Sequence, residues 1–356
     1  MDNFIQLQVN ETENQDKQLF DYAKQDKPSK HKIKYHNVII TLLALMVLPI
    51  YLYGVRVIVL LLTGLVTAFV IDFICIKLIG GKTFRKYDYS SVVTALITVM
   101  LMPATIPAWV VSVSIAIGLC VSKYPFGGTG HNIFNPAAVG VAFCALCWPD
   151  MVLRYPLPYT TYNFLDKTGI QFGPSPASVL RAGGTPKIDL FDVLLGKFSG
   201  PLGVTCLIVL FTCMLYLILR KVISKRIVFS ALFVVCIFAL LFPRVITGPQ
   251  TSLLYELSSG AFVFGIIFMS NDPTTMPKTK NGRVFYGALI GFLVMMFRYF
   301  GQIELEFVFA ILLANVFAGS CDRYADYLSH RFSRLKVEKK KSPASSKKAK
   351  VGESDA

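Results

Sequence analysis

The chain has 356 residues, of which 54% are hydrophobic and only 16% are charged, and its formal net charge is +15. Soluble domains average about 25% charged residues, so this composition excludes a soluble globular domain, a disordered chain and a disulfide-stapled secreted domain. The apolar residues form continuous runs that are long enough to cross a bilayer, and they do not alternate as barrel strands do. The sequence therefore predicts an all-α polytopic membrane protein.

The first part of the chain divides into a polar tail and a membrane unit. Residues 1–35 are polar and lack the apolar core of a signal peptide, so we predict a cytoplasmic tail. Residues 36–148 form the first membrane repeat. Its five predicted segments are 38–53, 57–78, 91–102, 109–121 and 134–148.

Residues 149–199 are polar and rich in Pro and Gly, and we call this stretch the 149–199 loop. The second membrane repeat follows at 200–321, with predicted segments at 201–219, 227–242, 257–269, 284–297 and 307–320. Residues 322–356 carry ten Lys and Arg against five acids. Because this basic tail follows a membrane segment, we interpret it as a cytoplasmic anchor beside anionic lipids and not as a nucleic-acid-binding arm.

The positions of Lys and Arg predict the orientation of the segments. Basic residues concentrate before the first segment and in alternate loops, at Lys82, Arg85 and Lys86, at Arg220, Lys221, Lys225 and Arg226, and at Lys278, Lys280 and Arg283. The loop between segments four and five is an exception, with Lys123 alone. The positive-inside rule therefore predicts ten segments with both termini cytoplasmic and the 149–199 loop outside.

An internal repeat is visible at a constant offset of 170 residues. The offset aligns Pro103 with Pro273, Thr105 with Thr275 and Pro107 with Pro277. It also aligns several segments of the first half with segments of the second. Five segments per half predict two inverted repeats, as in transporters; the alternative is chance, since the Pro spacing recurs easily.

Two segments, 91–102 and 257–269, are short. Thirteen helical residues reach about 20 Å against a hydrocarbon core of about 30 Å, so neither segment spans alone. We predict broken helices whose Pro-rich ends approach each other near the midplane in a central polar feature. The alternative is that both are ordinary spans with other ends.

Other polar features are weaker indications of function. The Gly-rich run at 127–132 matches no phosphate-binding motif, and a tight turn is the simpler interpretation. Asp72 lies inside a segment and is either a functional acid or the partner of a basic loop residue. Arg298 is expected to snorkel to the membrane surface. Cys144 and Cys147 form a CxxC pair without further ligands at metal-site spacing, so no metal site is predicted.

Several blocks resemble the D subunit of the Rnf ion-translocating electron-transport complex, which is related to the B subunit of the sodium-translocating NADH:quinone reductase. They are FGGTGHNIFNPAAVG at 126–140, ASVLRAGGTPKIDLFDVLLGKFSGPLG at 177–203, and the stretch 260–324 with NDPTTMPKTKNGRVFYGALIG. DYSSVVTAL at 88–96 is also similar, and the resemblance covers roughly 35–330.

The resemblance implies a covalent flavin. In this family FMN is joined through its phosphate to a threonine hydroxyl, and the matching residue is Thr185 in AGGTP. The resemblance further implies that a flavin transferase matures the protein and that other membrane, flavin and iron–sulfur subunits are its partners. It also implies electron relay between ferredoxin and NAD, coupled to Na⁺ or H⁺ translocation across a prokaryotic cytoplasmic membrane. The alternative from the repeat alone is a channel or transporter without redox function, and covalent flavin fluorescence on a denaturing gel would discriminate.

Overall fold

The computed structural model describes residues 28–79, 89–128, 130–159, 170–245, 248–301 and 303–341. The basic loop at 80–88, residues 1–27 of the predicted N-terminal tail and residues 342–356 of the predicted C-terminal tail lie outside the described residues, as does Thr129 of the Gly-rich run.

Five helices make up the first half of the protein. They are α1 (Pro28–Tyr53), α2 (Val55–Ile79), α3 (Ser90–Met100), α4 (Ala108–Ser122) and α5 (Pro136–Cys147). Only Gly54 separates α1 from α2, and its φ of +72° is a left-handed conformation that glycine adopts without strain. The start of α5 is fixed by Asn135, whose side-chain oxygen accepts from the Ala138 amide at 3.2 Å, followed by Pro136 in the first turn.

The 149–199 loop contains short elements. They are α6 (Pro149–Val152), β1 (Tyr155–Pro156), β2 (Phe172–Gly173), α7 (Pro176–Arg181) and α8 (Leu190–Leu195). The two strands pair antiparallel, with Tyr155 opposite Gly173. The side chain of Ser175 caps α7 by accepting from the Ser178 amide at 3.1 Å.

The second half contains α9 (Leu207–Leu219), α10 (Lys225–Leu241), α11 (Pro249–Ser258), α12 (Phe262–Phe268), α13 (Gly282–Met296), a π-helix (Phe297–Gly301) and α14 (Glu306–Lys341). The last helix continues through the predicted segment into the stretch predicted as a basic tail. Likewise, α1 begins at Pro28, before the predicted start of the first segment.

The described helices establish a multi-pass membrane protein. Four have the length and hydropathy of a membrane span, at 35–53, 55–78, 282–301 and 306–329, and α11 with α12 makes a fifth candidate that is bent by 54°. Four shorter apolar helices, α3, α4, α5 and α9, accompany them. Helix α2 exposes large apolar side chains such as Leu62 and Val66, as a lipid-facing surface requires.

Two further predicted segments differ from the structure in their bounds. The segment at 201–219 becomes helical only at Leu207, because the preceding backbone pairs with the end of α3: the Leu202 and Gly203 amides donate to the Met102 and Met100 carbonyls, at 3.1 and 2.8 Å. The segment at 257–269 contains only the end of α11, then the break and α12, because α11 begins earlier, at Pro249.

Small residues let neighbouring helices pack closely in both halves. A Cβ atom at Gly140 of α5 would overlap the Ser114 carbonyl of α4, and one at Gly287 of α13 would overlap the Ile227 carbonyl of α10. This close approach of backbones through glycine is typical of helix packing in membranes, where dispersion contacts replace the hydrophobic effect.

Candidate functional site

Thr185 lies in an exposed turn that directly follows α7. The helix ends in a Schellman motif: the Gly183 amide donates to Leu180 at 3.1 Å, and the Gly184 amide donates to Val179 at 3.0 Å. Gly183 has φ of +74°, which explains glycine at this position. The turn therefore sets the direction in which the chain leaves the helix, immediately before the threonine.

Tyr255 of α11 fixes the chain on the other side of Thr185. Its hydroxyl donates to the carbonyls of Pro186 at 3.1 Å and Ile188 at 2.9 Å, and its side chain is buried. The ring belongs to a small apolar cluster that also contains Leu180, Val193, Phe198 and Val245. The backbone around Thr185 is thus anchored on both sides while its side chain stays exposed.

The surroundings of Thr185 leave room for a large substituent. Within the described part of the chain, no hydrogen bond involves the Thr185 hydroxyl, and a Cβ atom built on Gly183 would meet nothing within 4 Å. An exposed hydroxyl on an anchored backbone, with open space beside it, can accept a phosphoryl-linked group without disturbing a packed interior.

A buried charge network holds α11 against the membrane core. The Arg298 guanidinium binds Glu256 through Nη1 at 2.9 Å and Glu306 through Nη2 at 2.6 Å, and Arg244 Nε binds Glu256 at 2.6 Å. The expectation that Arg298 snorkels is wrong, because its side chain is only 3% exposed. Two buried carboxylates provide the compensation that a buried guanidinium needs.

Arg298 also stabilises the break between α11 and α12. It donates to the carbonyls of Glu256 and Ser259, both at 2.7 Å, so the backbone groups freed by the bend are paired. The sequence signal for this role is the pair of acids, Glu256 and Glu306, at the margins of apolar stretches, although no local pattern connects them to Arg298.

A cleft lies between the two halves. The N-terminal half of α3 and the C-terminal end of α12 both line it, together with Lys123, Asn132, Asn135 and Asp272. Asn132 donates to Asp272 at 3.2 Å, and Asn135 donates to the Met269 carbonyl at 3.2 Å. These side-chain amides link the first half of the protein to the second.

The two Pro-rich breaks predicted from the sequence line different cavities. Thr105 lines an open groove with Asp150 and Arg154, whereas the break after α12 contributes Asp272 to the cleft. Thr105 and Thr275 thus do not line either of these two cavities together.

The freed carbonyls of the first break are paired by Arg56, which the sequence places in a short loop. Arg56 Nε donates to Ala104 at 2.7 Å, and its Nη2 donates to Thr105 at 3.1 Å and Ile106 at 3.3 Å. In the second break, Asn271 donates to the Ile266 carbonyl at 2.8 Å and accepts from the Ser224 amide at 2.8 Å. A distant side chain therefore stabilises the first irregular stretch, whereas Asn271 of the second stretch pairs a nearby carbonyl and links the stretch to Ser224.

Asp72 is paired with a basic loop residue, as one of its two interpretations expected. Its carboxylate accepts from Ser91 at 2.7 Å and lies 3.7 Å from the Lys123 ammonium, and the Tyr124 hydroxyl also donates to it. The neighbouring Gly-rich run is a turn, in which Gly127 and Gly128 have positive φ.

The fold and these contacts define a polytopic helical membrane protein in which the 149–199 loop holds Thr185 on an anchored, exposed turn. Residues 24–328 match the model of the NQR2, RnfD, RnfE family, and the chain belongs to this family. The match confirms the resemblance drawn from the sequence blocks.

Similar proteins occur in several bacteria. The chain is 30% identical over 318 residues to the D subunit of the ion-translocating oxidoreductase complex of Haemophilus ducreyi, covering 81% of this chain and 91% of that protein. It is 28% identical over 308 residues to the D subunit of the Na⁺-translocating ferredoxin:NAD⁺ oxidoreductase complex of Acetobacterium woodii, covering 85% and 92%. It is 30% identical over 254 residues to the B subunit of the Na⁺-translocating NADH-quinone reductase of Pseudomonas paraeruginosa, covering 68% of this chain and 61% of that protein.

Proposed function

We propose that this protein is a membrane flavoprotein subunit of an Rnf-type ion-translocating oxidoreductase complex, with FMN joined by a phosphoester to Thr185. It would relay electrons between ferredoxin and NAD within the complex, coupled to Na⁺ or H⁺ translocation. Family membership and the names of the relatives, two of which are D subunits, support this assignment. The observation that carries the cofactor assignment is the exposed Thr185 hydroxyl on a turn anchored by Tyr255.

The residues around Thr185 suit a tethered phosphate group. Oγ1 of Thr185 would be the attachment atom, and the space beside Gly183 would admit both the transferase and the attached group. FMN, when bound, supplies one- and two-electron chemistry, while the chain supplies position. Tyr255 and the Schellman turn hold the attachment point, so that the tether and not the backbone determines how far the group moves.

We also propose that the chain has ten membrane segments in two inverted repeats, with cytoplasmic termini and the 149–199 loop outside the cytoplasmic membrane. The starts of α2 and α10 are 170 residues apart, and so are the starts of α5 and α14. Helix α2 packs on α4 as α10 packs on α13, and α4 packs on α5 as α13 packs on α14. This correspondence supports the repeat.

The proposed partners are the other membrane, flavin and iron–sulfur subunits, membrane lipids and, during maturation, a flavin transferase outside the membrane. The relatives are named as subunits of multisubunit complexes, which supports the other subunits as partners. The rival function, a channel or transporter without redox chemistry, would share the inverted repeat and the cleft but would carry no covalent flavin.

The decisive experiment is in-gel flavin fluorescence after denaturation of the protein co-expressed with a flavin transferase. We expect a fluorescent band from the parent chain and from Ser178→Ala, a matched hydroxyl deletion in the same loop. Thr185→Ala should insert into the membrane and give no fluorescence. Fluorescence from Thr185→Ala would refute the residue assignment, and its absence from the parent chain would refute the flavoprotein assignment.

The orientation can be tested separately by cysteine labelling with an impermeant reagent in intact cells. Ser178→Cys should be labelled above the level of the parent chain, because the 149–199 loop is proposed to lie outside. Additional labelling that requires cell lysis would reverse the proposed orientation.

A further inference from the structure

A small cavity lies between the 149–199 loop and the second half of the protein. Its polar lining consists of Tyr155, Ser175, Ser199, Ser258 and Glu304. The interior accommodates about one water-sized particle, which is also the size of a small ion. The cavity is separate from the turn that carries Thr185.

Glu304 contributes a buried carboxylate whose charge is not directly balanced. It accepts a hydrogen bond from Ser175, and among the described residues it has no ion pair, although Arg181 attracts it over a longer distance. The neighbouring Glu306, in contrast, is paired with Arg298. Burial raises the pKa of Glu304 above its usual value because water no longer solvates the charged form, while Ser175 and Arg181 partly oppose this shift.

Tyr155 contributes a second unusual group. Its side chain is 2% exposed, and its hydroxyl has no hydrogen-bond partner in the described part of the chain. Burial, and then the charges of Glu304 and Glu306, raise its pKa well above the usual value, so the hydroxyl stays protonated and neutral. Buried polar groups are normally paired, so an unpaired hydroxyl on a residue that borders a cavity points to a ligand site.

We propose that this cavity binds one small monovalent cation of the Na⁺ class, with the Glu304 carboxylate and the Tyr155 hydroxyl oxygen as ligands. Oxygen atoms are the ligands that hard cations prefer. A single unbalanced carboxylate matches a single positive charge, and an anion would be repelled by Glu304 and Glu306. The inference does not depend on flavin attachment at Thr185.

The site would connect cation occupancy to the position of α7. Ser175 both caps α7 through its Oγ and donates to Glu304, and α7 leads directly into the turn before Thr185. A cation on Glu304 would therefore hold the start of that helix against the second half of the protein.

The test is a thermal unfolding titration of the purified full-length chain in detergent. NaCl replaces choline chloride at constant ionic strength, so that screening stays constant. We expect the unfolding midpoint to rise and saturate with Na⁺, as it does for a ligand that binds the folded state. Tyr155→Phe and Glu304→Gln should each weaken the apparent Na⁺ affinity at least tenfold, whereas Asp150→Asn, which changes an exposed carboxylate of the same loop, should leave it unchanged.

Three results would overturn the proposal. A midpoint that ignores Na⁺ would show that water alone occupies the cavity. A midpoint that follows pH but ignores Na⁺ would show that Glu304 takes only a proton. An equal Na⁺ response in the parent and both variants would place the cation elsewhere. Tyr155→Phe removes only a hydroxyl without a described partner, so this variant is expected to fold and keeps the test decisive.

Discussion

Tyr255→Phe removes one hydroxyl whose single proton is shared between two backbone carbonyls beyond Thr185, those of Pro186 and Ile188. The ring remains, so the apolar cluster around it should stay packed. A net hydrogen bond contributes about 1 kcal/mol, and acceptors left without a donor add a comparable cost. We therefore expect the segment after Thr185 to lose about 1–2 kcal/mol of local stability, which raises its open population roughly 5- to 30-fold.

Hydrogen exchange measured by mass spectrometry on the peptide covering 187–190 reports this opening directly. Tyr286→Phe is the matched control, because it deletes a buried hydroxyl that donates to Asn315 at 2.7 Å in the membrane region. The control should leave exchange at 187–190 unchanged. Unchanged exchange in Tyr255→Phe as well would show that packing alone holds this segment, and the anchoring role assigned to Tyr255 would be refuted.

Three further variants test other contacts. Gly183→Ala should destabilise the turn before the threonine by about 1 kcal/mol, because a Cβ atom disfavours positive φ; faster hydrogen exchange in a peptide that contains the amides of residues 183 and 184 checks this. Arg298→Leu should lower the free energy of unfolding by about 3–5 kcal/mol, because Glu256 and Glu306 keep fewer cationic partners. In a thermal melt, the double variant Arg298→Leu/Glu306→Leu should recover part of this stability. The pKa of Glu304 is raised in the folded protein, so its contribution to stability is present below about pH 4.5 and is lost as the pH rises through the folded pKa. Glu304→Gln should therefore become more stable than the parent chain as the pH increases in Na⁺-free buffer. A stability difference that does not change with pH would contradict the burial argument.

The sequence predicted the helices well where continuous apolar runs determine them. The starts of α2, α5, α10 and α14 follow the apolar pattern and the 170-residue offset closely, because bilayer crossing is a property of local composition. The resemblance indicated Thr185 as the site of flavin attachment, and this assignment stays a prediction.

What the sequence could not provide is the set of partners that stabilise irregular backbone. Arg56 pairs carbonyls almost fifty positions away, and Tyr255 anchors a segment 67 to 69 positions earlier. Arg298 looked like a residue at the membrane surface because its compensating acids come from two other elements. Such contacts depend on how the helices meet, which no local period or composition encodes.

The pairing of α3 with residues 202–203 has a consequence for biosynthesis. Among the described residues, the backbone donors to the Met100 and Met102 carbonyls are Gly203 and Leu202, which emerge from the ribosome about a hundred residues later. Until then these carbonyls need water or another transient partner, since unpaired backbone groups are costly in hydrocarbon. The first five helices are thus not a finished folding unit when their synthesis ends, and translation through the 149–199 loop must precede the final seating of α3.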